Sequence, residues 1–113
     1  MLLVEDDADI AETLSAVLES EGFRTLVAGT VAAATVEAKR ASPAVIVLDW
    51  NLPDGTGEDV VRAVRPGLPS VPILVISGAQ RSLDDSLRVD ARERIAKPFD
   101  LARVVELVRR YAQ

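Results

Sequence analysis

Apolar residues along this chain alternate between short runs and stretches of helical period. "LLV" (Leu2 to Val4) reads as a short buried strand that ends at Glu5, Asp6 and Asp7. Ile10, Leu14, Val17 and Leu18 then recur at steps of four, three and one, which predicts an amphipathic helix stopped near Gly22. "FRTLVA" reads as a second strand. Thr30 is placed to cap an Ala-rich helix that runs to about Arg40 and is broken by Ser42 and Pro43. The run Val45 to Leu48 suits a strand covered on both faces, yet it ends on the acid Asp49 and gives way to the loop "NLPDGTG". An acid there is either a turn cap or a group that does chemistry.

Val60, Val61 and Val64 predict a third, short helix closed by Pro66 and Gly67, and "VPILVIS" a fourth strand ending at Ser77 and Gly78. The stretch from Arg81 to Val89 has only Leu83 and Leu87 at helical spacing, a weakly patterned fourth helix. "RIAKPF" holds a short fifth strand. Asp100 caps a final helix with Leu101, Val104, Val105, Val108 and Tyr111 on one face. Five strands alternating with five helices predict an α/β fold: a parallel sheet with helices on both faces. Ligands of such sheets bind beyond the carboxyl ends of the strands. The acids after the first strand, Asp49, Ser77 and Lys97 all fall at carboxyl ends.

Composition narrows the chemistry. With 113 residues the chain is expected to form one domain, residues 1–113, with no internal repeat or linker. It has no Cys and no His, which removes disulfides, zinc sites built on those residues, and nucleophile pairs that need histidine. A metal here would be held by oxygen: Mg²⁺, Ca²⁺ or Mn²⁺. The net charge of −5 weighs against direct nucleic-acid binding. No apolar run approaches membrane-spanning length, and "MLLVEDD" turns acidic too soon for a signal peptide. A soluble, cytoplasmic domain without membrane attachment is expected.

Glu5, Asp6 and Asp49, brought together, would repel one another unless a cation neutralised them, and Mg²⁺ suits carboxylates while leaving positions for phosphate oxygens. A Ser77 hydroxyl and a Lys97 ammonium beside them suit a phosphoryl group, and a carboxylate can itself attack phosphorus. Taken singly, each residue has a plainer role. Asp49 fits a turn, the N-terminal acids fit a helix start, Ser77 is a loop hydroxyl, Lys97 a solvated lysine, and Trp50 a surface or partner-facing aromatic. Five polar residues converging on one end of one sheet outweigh those separate readings.

The four motifs "LLVEDD", "VIVLDWNLPDGTG", "PILVISG" and "KPFD", each at a predicted strand end and in this order, resemble the response-regulator receiver domain of two-component signalling. "DWNLP" is similar to chemotaxis-type receivers in particular. The resemblance covers essentially the whole chain and implies a flavodoxin-like (βα)5 three-layer sandwich with a five-stranded parallel sheet in the order 2-1-3-4-5. It implies that Asp49 is the phosphoacceptor, and that Glu5, Asp6, Asp49 and the backbone carbonyl of Asn51 hold Mg²⁺. Asp6 would be the direct ligand, and Glu5 would act through water. Ser77 matches the switch hydroxyl and Lys97 the lysine that pairs with the phosphoryl group. Gly78 matches a position kept small for phosphoryl entry, and Lys97-Pro98 a peptide bond usually cis. Asp7 is a helix-start acid, with a reading of the acidic pair one residue later left open.

The implied partner is a sensor histidine kinase or a phosphotransfer protein, with the receiver a monomer or weak homodimer. Such a domain is no enzyme beyond its own phosphorylation and slow dephosphorylation. Two rival readings are a non-phosphorylated pseudo-receiver that serves as an interaction module and a small Mg²⁺-dependent phosphohydrolase. The sequence departs from the receiver pattern at Arg94, where an aromatic often stands three residues before the lysine, and at Asp90-Ala91, where Gly-Ala is usual. A charged guanidinium is costly to bury. Arg94 is therefore expected to face solvent, near Glu93 or Asp90.

Overall fold

The protein, seen in a computed structural model, is described over residues 1–78, 86 and 89–112. Among the described residues seven strands and four helices follow in chain order: β1 (Leu2–Val4), α1 (Ala8–Ser20), β2 (Leu26–Ala28), α2 (Val31–Ala41), β3 (Ile46–Asp49), β4 (Asn51–Leu52), β5 (Gly55–Thr56), α3 (Gly57–Val64), β6 (Ile73–Ser77), β7 (Glu93–Ala96) and α4 (Leu101–Tyr111). The helix expected over Arg81–Val89 falls, apart from Ser86 and Val89, outside the described residues.

Five strands form one parallel sheet in the order β2-β1-β3-β6-β7. Counted over those five, this is the expected order 2-1-3-4-5. Side chains alternate across a strand, so the sheet serves two cores. Leu2, Val4, Ile46, Leu48, Ile73 and Val75 meet α2 and α3 on one face. Leu3, Val47, Leu74 and Ile76 meet α1 and α4 on the other. The central strands β1, β3 and β6 are buried throughout, which is why their sequences run apolar without alternation.

The helix ends follow local chemistry. Asp7 Oδ1 accepts the amides of Asp9 at 2.9 Å and Ile10 at 3.1 Å, capping α1. At the other end Gly22 adopts φ +95°, and Gly22 and Phe23 donate to the carbonyls of Glu19 and Leu18, both at 3.0 Å. That double return needs a left-handed residue, and glycine supplies it. Thr30 caps α2 through the Ala33 amide, and Asp100 caps α4 through the Ala102 amide, as expected.

Two expectations are corrected. The "NLPDGTG" loop is partly ordered as an antiparallel hairpin, β4–β5, with Asn51 opposite Thr56 and Leu52 opposite Gly55. Trp50 is no surface aromatic: it is 2% exposed and sits in the core between the sheet and α3. A Cβ at Gly57 would lie 2.6 Å from Cε3 of Trp50. Only glycine at the start of α3 leaves room for the indole, so a residue pair seven apart decides its burial.

Candidate functional site

Parallel pairing lines up the carboxyl ends of the strands. Val4 pairs with Leu48, Asp49 with Ile76, and Ser77 with Ala96. The residues at or just beyond those ends are Glu5 and Asp6, Asp49, Ser77 and Lys97. Carboxylate oxygens of Glu5, Asp6 and Asp49 lie within 4.8 Å of one another. Glu5 and Asp49 are buried, at 3% and 5% exposure, whereas Asp6 is open to solvent. Asp7 stands outside the cluster, its carboxylate spent on the α1 cap. The acidic pair beside Asp49 is therefore Glu5 and Asp6.

Lys97 reaches in from beyond β7. Its Nζ lies 3.3 Å from Asp49 Oδ2 and 3.5 Å from Glu5 Oε1. The Asn51 amide donates to Asp49 Oδ1 at 3.3 Å, and the Asp7 amide to Glu5 Oε1 at 3.4 Å. These contacts are long for charge-assisted hydrogen bonds, which settle near 2.7–2.9 Å, so the carboxylates are only loosely satisfied.

Charge bears this out. Burial, then the hydrogen bond and repulsion from Asp49, push the Glu5 carboxyl up to about 7, and the attraction of Lys97 offsets only part of that. Burial alone would lower the Lys97 ammonium. The pull of Asp49 and Glu5 outweighs it, so Lys97 is held above its ordinary value and stays charged. Among the described residues, Lys97 thus faces both buried acids, and Asp6 adds a third carboxylate beside them. Three hard oxygen donors with surplus negative charge, and no soft ligand among them, fit Mg²⁺.

Ser77 is fully buried at the end of β6, and its carbonyl accepts the Lys97 amide at 2.8 Å. The two residues are thereby held side by side through the backbone. A Cβ on Gly78 would meet Lys97 Cδ at 3.8 Å, ordinary contact, so the fold itself accepts alanine there. The Lys97-Pro98 peptide bond is cis.

Arg94 is not where the sequence reading placed it. It is half-buried, and its guanidinium donates to the carbonyls of Ser86, at 3.1 and 3.2 Å, and Val89, at 2.8 Å. The acids expected to pair with it are engaged elsewhere. Glu93 accepts the Tyr111 hydroxyl at 2.7 Å, and Asp90 lies 3.5 Å from Arg65. Backbone carbonyls satisfy the guanidinium without a carboxylate, which is the option the desolvation argument omitted.

Two further residues escaped the sequence reading. Arg65 donates to the carbonyls of Leu68, Val71 and Asp90 and ties the end of α3 to the turn before β7. Asp54, in the hairpin turn, accepts the amides of Val31 and Ala32 at the start of α2. The Arg65 bond to Asp90 and both Asp54 bonds reach backbone groups distant in sequence, for which no local pattern exists. Among the described residues no helix is long and apolar enough to cross a membrane.

Known proteins resemble this chain in sequence and in fold. The family model of the response regulator receiver domain matches residues 1–109. The DNA-binding response regulator MtrA of Mycobacterium tuberculosis is 36% identical over 111 residues, covering 96% of this chain and 48% of MtrA. The photosynthetic apparatus regulatory protein RegA of Rhodovulum sulfidophilum is 36% identical over 102 residues, covering 88% of this chain and 56% of RegA. The chain thus spans about half the length of the curated relatives it matches. Among solved structures, the receiver domain of the sensor histidine kinase PA1611 from Pseudomonas aeruginosa superposes with a TM-score of 0.90 at 27% identity, covering 98% of this chain and 94% of that one. That structure has a magnesium ion coordinated in its active site cleft. The chain belongs to the response regulator receiver domain family.

Proposed function

We propose that this receiver, working as a single domain over residues 1–113, accepts a phosphoryl group on Asp49 from a phosphohistidine of a sensor histidine kinase or phosphotransfer protein. The observation that carries the reading is the meeting of three carboxylates within 4.8 Å with a lysine ammonium 3.3 Å from one of them. Glu5, Asp6, Asp49 and the Asn51 carbonyl would hold Mg²⁺. Bound there, the metal supplies charge neutralisation for the incoming phosphoryl oxygens.

The chain's own groups have distinct tasks. A carboxylate oxygen of Asp49 is the nucleophile: its bond to phosphorus forms as the bond to the donor nitrogen breaks. Lys97, held charged by its surroundings and 3.3 Å from Asp49 Oδ2, balances charge on the phosphoryl oxygens. The Ser77 hydroxyl donates to a phosphoryl oxygen once the group is in place. The chain then acts as a signalling module rather than a turnover enzyme, its own slow dephosphorylation aside.

The test is incubation with a small phosphodonor and Mg²⁺, followed by intact mass. One stable adduct, absent in Asp49→Asn, is expected. No adduct on folded wild-type protein would favour a pseudo-receiver, and free turnover of the donor without an adduct would favour a phosphohydrolase.

A further inference from the structure

We propose that Asp54 is a positioning residue for the phosphoacceptor site: its grip on the start of α2 holds the β4–β5 hairpin, and with it the Asn51 peptide, against the acid cluster. The inference rests on the reading of Asp49 and Asn51 just given.

Helix α2 is capped twice. Thr30 Oγ1 accepts the Ala33 amide at 3.0 Å, a local cap. Asp54 arrives from the hairpin turn and uses both oxygens, Oδ1 on the Val31 amide at 2.7 Å and Oδ2 on the Ala32 amide at 3.1 Å. The start of a helix presents unpaired amides and partial positive charge, so a carboxylate is favoured there. Those amides, Val31 first, hold the Asp54 carboxyl below its usual value although it is exposed. Once Thr30 has begun the helix, what the second cap adds is a tether between hairpin and helix.

The hairpin needs one. It has only two residue pairs, and a ribbon that small is marginal by itself. Its near end is fixed where the Gly57 amide donates to the Trp50 carbonyl at 2.7 Å. Its far end is held by Asp54. Gly55 is seated tightly at the same point: a Cβ there would lie 3.1 Å from Val31 Cγ2 and 2.5 Å from Asp59 Oδ2. Asn51 begins the hairpin and donates its amide to Asp49 Oδ1. Releasing the far end lets that peptide drift from the nucleophile and from the place where its carbonyl would meet the metal. Outer groups of this kind typically tune metal affinity without touching the ion.

The experiment compares wild type, Asp54→Ala, Asp54→Asn and Thr30→Ala by Mg²⁺ calorimetry, amide exchange and urea unfolding. Asp54→Ala is expected to weaken Mg²⁺ about tenfold and to speed exchange at Asn51 and Thr56. Asp54→Asn, nearly isosteric, keeps one acceptor and should fall between, which guards against a folding artefact. Thr30→Ala removes the local cap of the same helix and should leave Mg²⁺ affinity unchanged. Wild-type affinity in Asp54→Ala, or an equal loss in Thr30→Ala, would overturn the proposal. Wild-type protein that takes up no Mg²⁺ would overturn the functional reading, and this inference with it, before any variant is compared.

Discussion

Lys97 Nζ stands 3.3 Å from Asp49 Oδ2, a contact between the ends of β3 and β7 across 48 positions of sequence. Lys97 also faces Glu5, so among the described residues one ammonium meets two buried acids of a three-carboxylate cluster. That arrangement is expected to make stability depend on pH and on added divalent cations.

The first prediction concerns Glu5. Its carboxyl is raised from 4.5 to about 7 in the folded protein, so between those values the native state holds a proton that the unfolded chain has released. Stability from this group is full at the acid end of the window and falls as pH rises through it. In chelator, the unfolding temperature should fall from pH 5 to pH 8, and Glu5→Gln should flatten that slope. Added Mg²⁺ should restore the wild type at pH 8. An unchanged slope in Glu5→Gln would place the titrating group elsewhere.

Asp6 and Asp7 are adjacent but should behave differently. Asp6→Ala is expected to weaken Mg²⁺ binding and phosphorylation by at least about tenfold, with little loss of stability, since its carboxylate is exposed. Asp7→Ala should cost about 1 kcal/mol of stability through the lost α1 cap and leave Mg²⁺ affinity intact. Calorimetry and urea unfolding on both variants check the pair. Reversed results would shift the acidic pair one residue along. Excess chelator should abolish phosphorylation of the wild type.

Trp50 and Gly57 should be coupled. Trp50→Ala is expected to cost about 3–5 kcal/mol as a core truncation, and Gly57→Ala about 1–3 kcal/mol by overpacking. In the double variant the new methyl group enters the space the indole has left, so the combined loss should be smaller than the sum. Additive losses by urea unfolding would show that the two residues do not share that space.

Arg94 should be structural as well as positional. Its hydrogen bonds to Ser86 and Val89 involve a charged donor, so Arg94→Ala should lose about 1.5–3 kcal/mol. Lysine should recover only part, because one ammonium cannot span both carbonyls as the planar fork does. A structure or amide-exchange map of the beryllofluoride complex is expected to keep Arg94 on those carbonyls. Unchanged stability in Arg94→Ala would refute the anchoring role.

Much of the molecule follows from short-range pattern. The apolar runs of β1, β3 and β6, the helical spacing of α1 and α4, and the caps at Thr30 and Asp100 each depend on residues within a few positions of one another. Once these elements alternate, right-handed parallel crossovers leave few ways to order the strands, and Glu5, Asp6, Asp49, Ser77 and Lys97 must share one end of the sheet. What tertiary structure alone decided are contacts whose partners no local rule names. Trp50 is inside because Gly57 lacks a side chain. Asp54 is a tether because the start of α2 passes the hairpin turn, 23 positions earlier in sequence. Arg94 is half-buried because carbonyls of Ser86 and Val89 face it. Amides and carbonyls are the same in every residue, so a sequence shows that these groups need partners without showing which side chain supplies them.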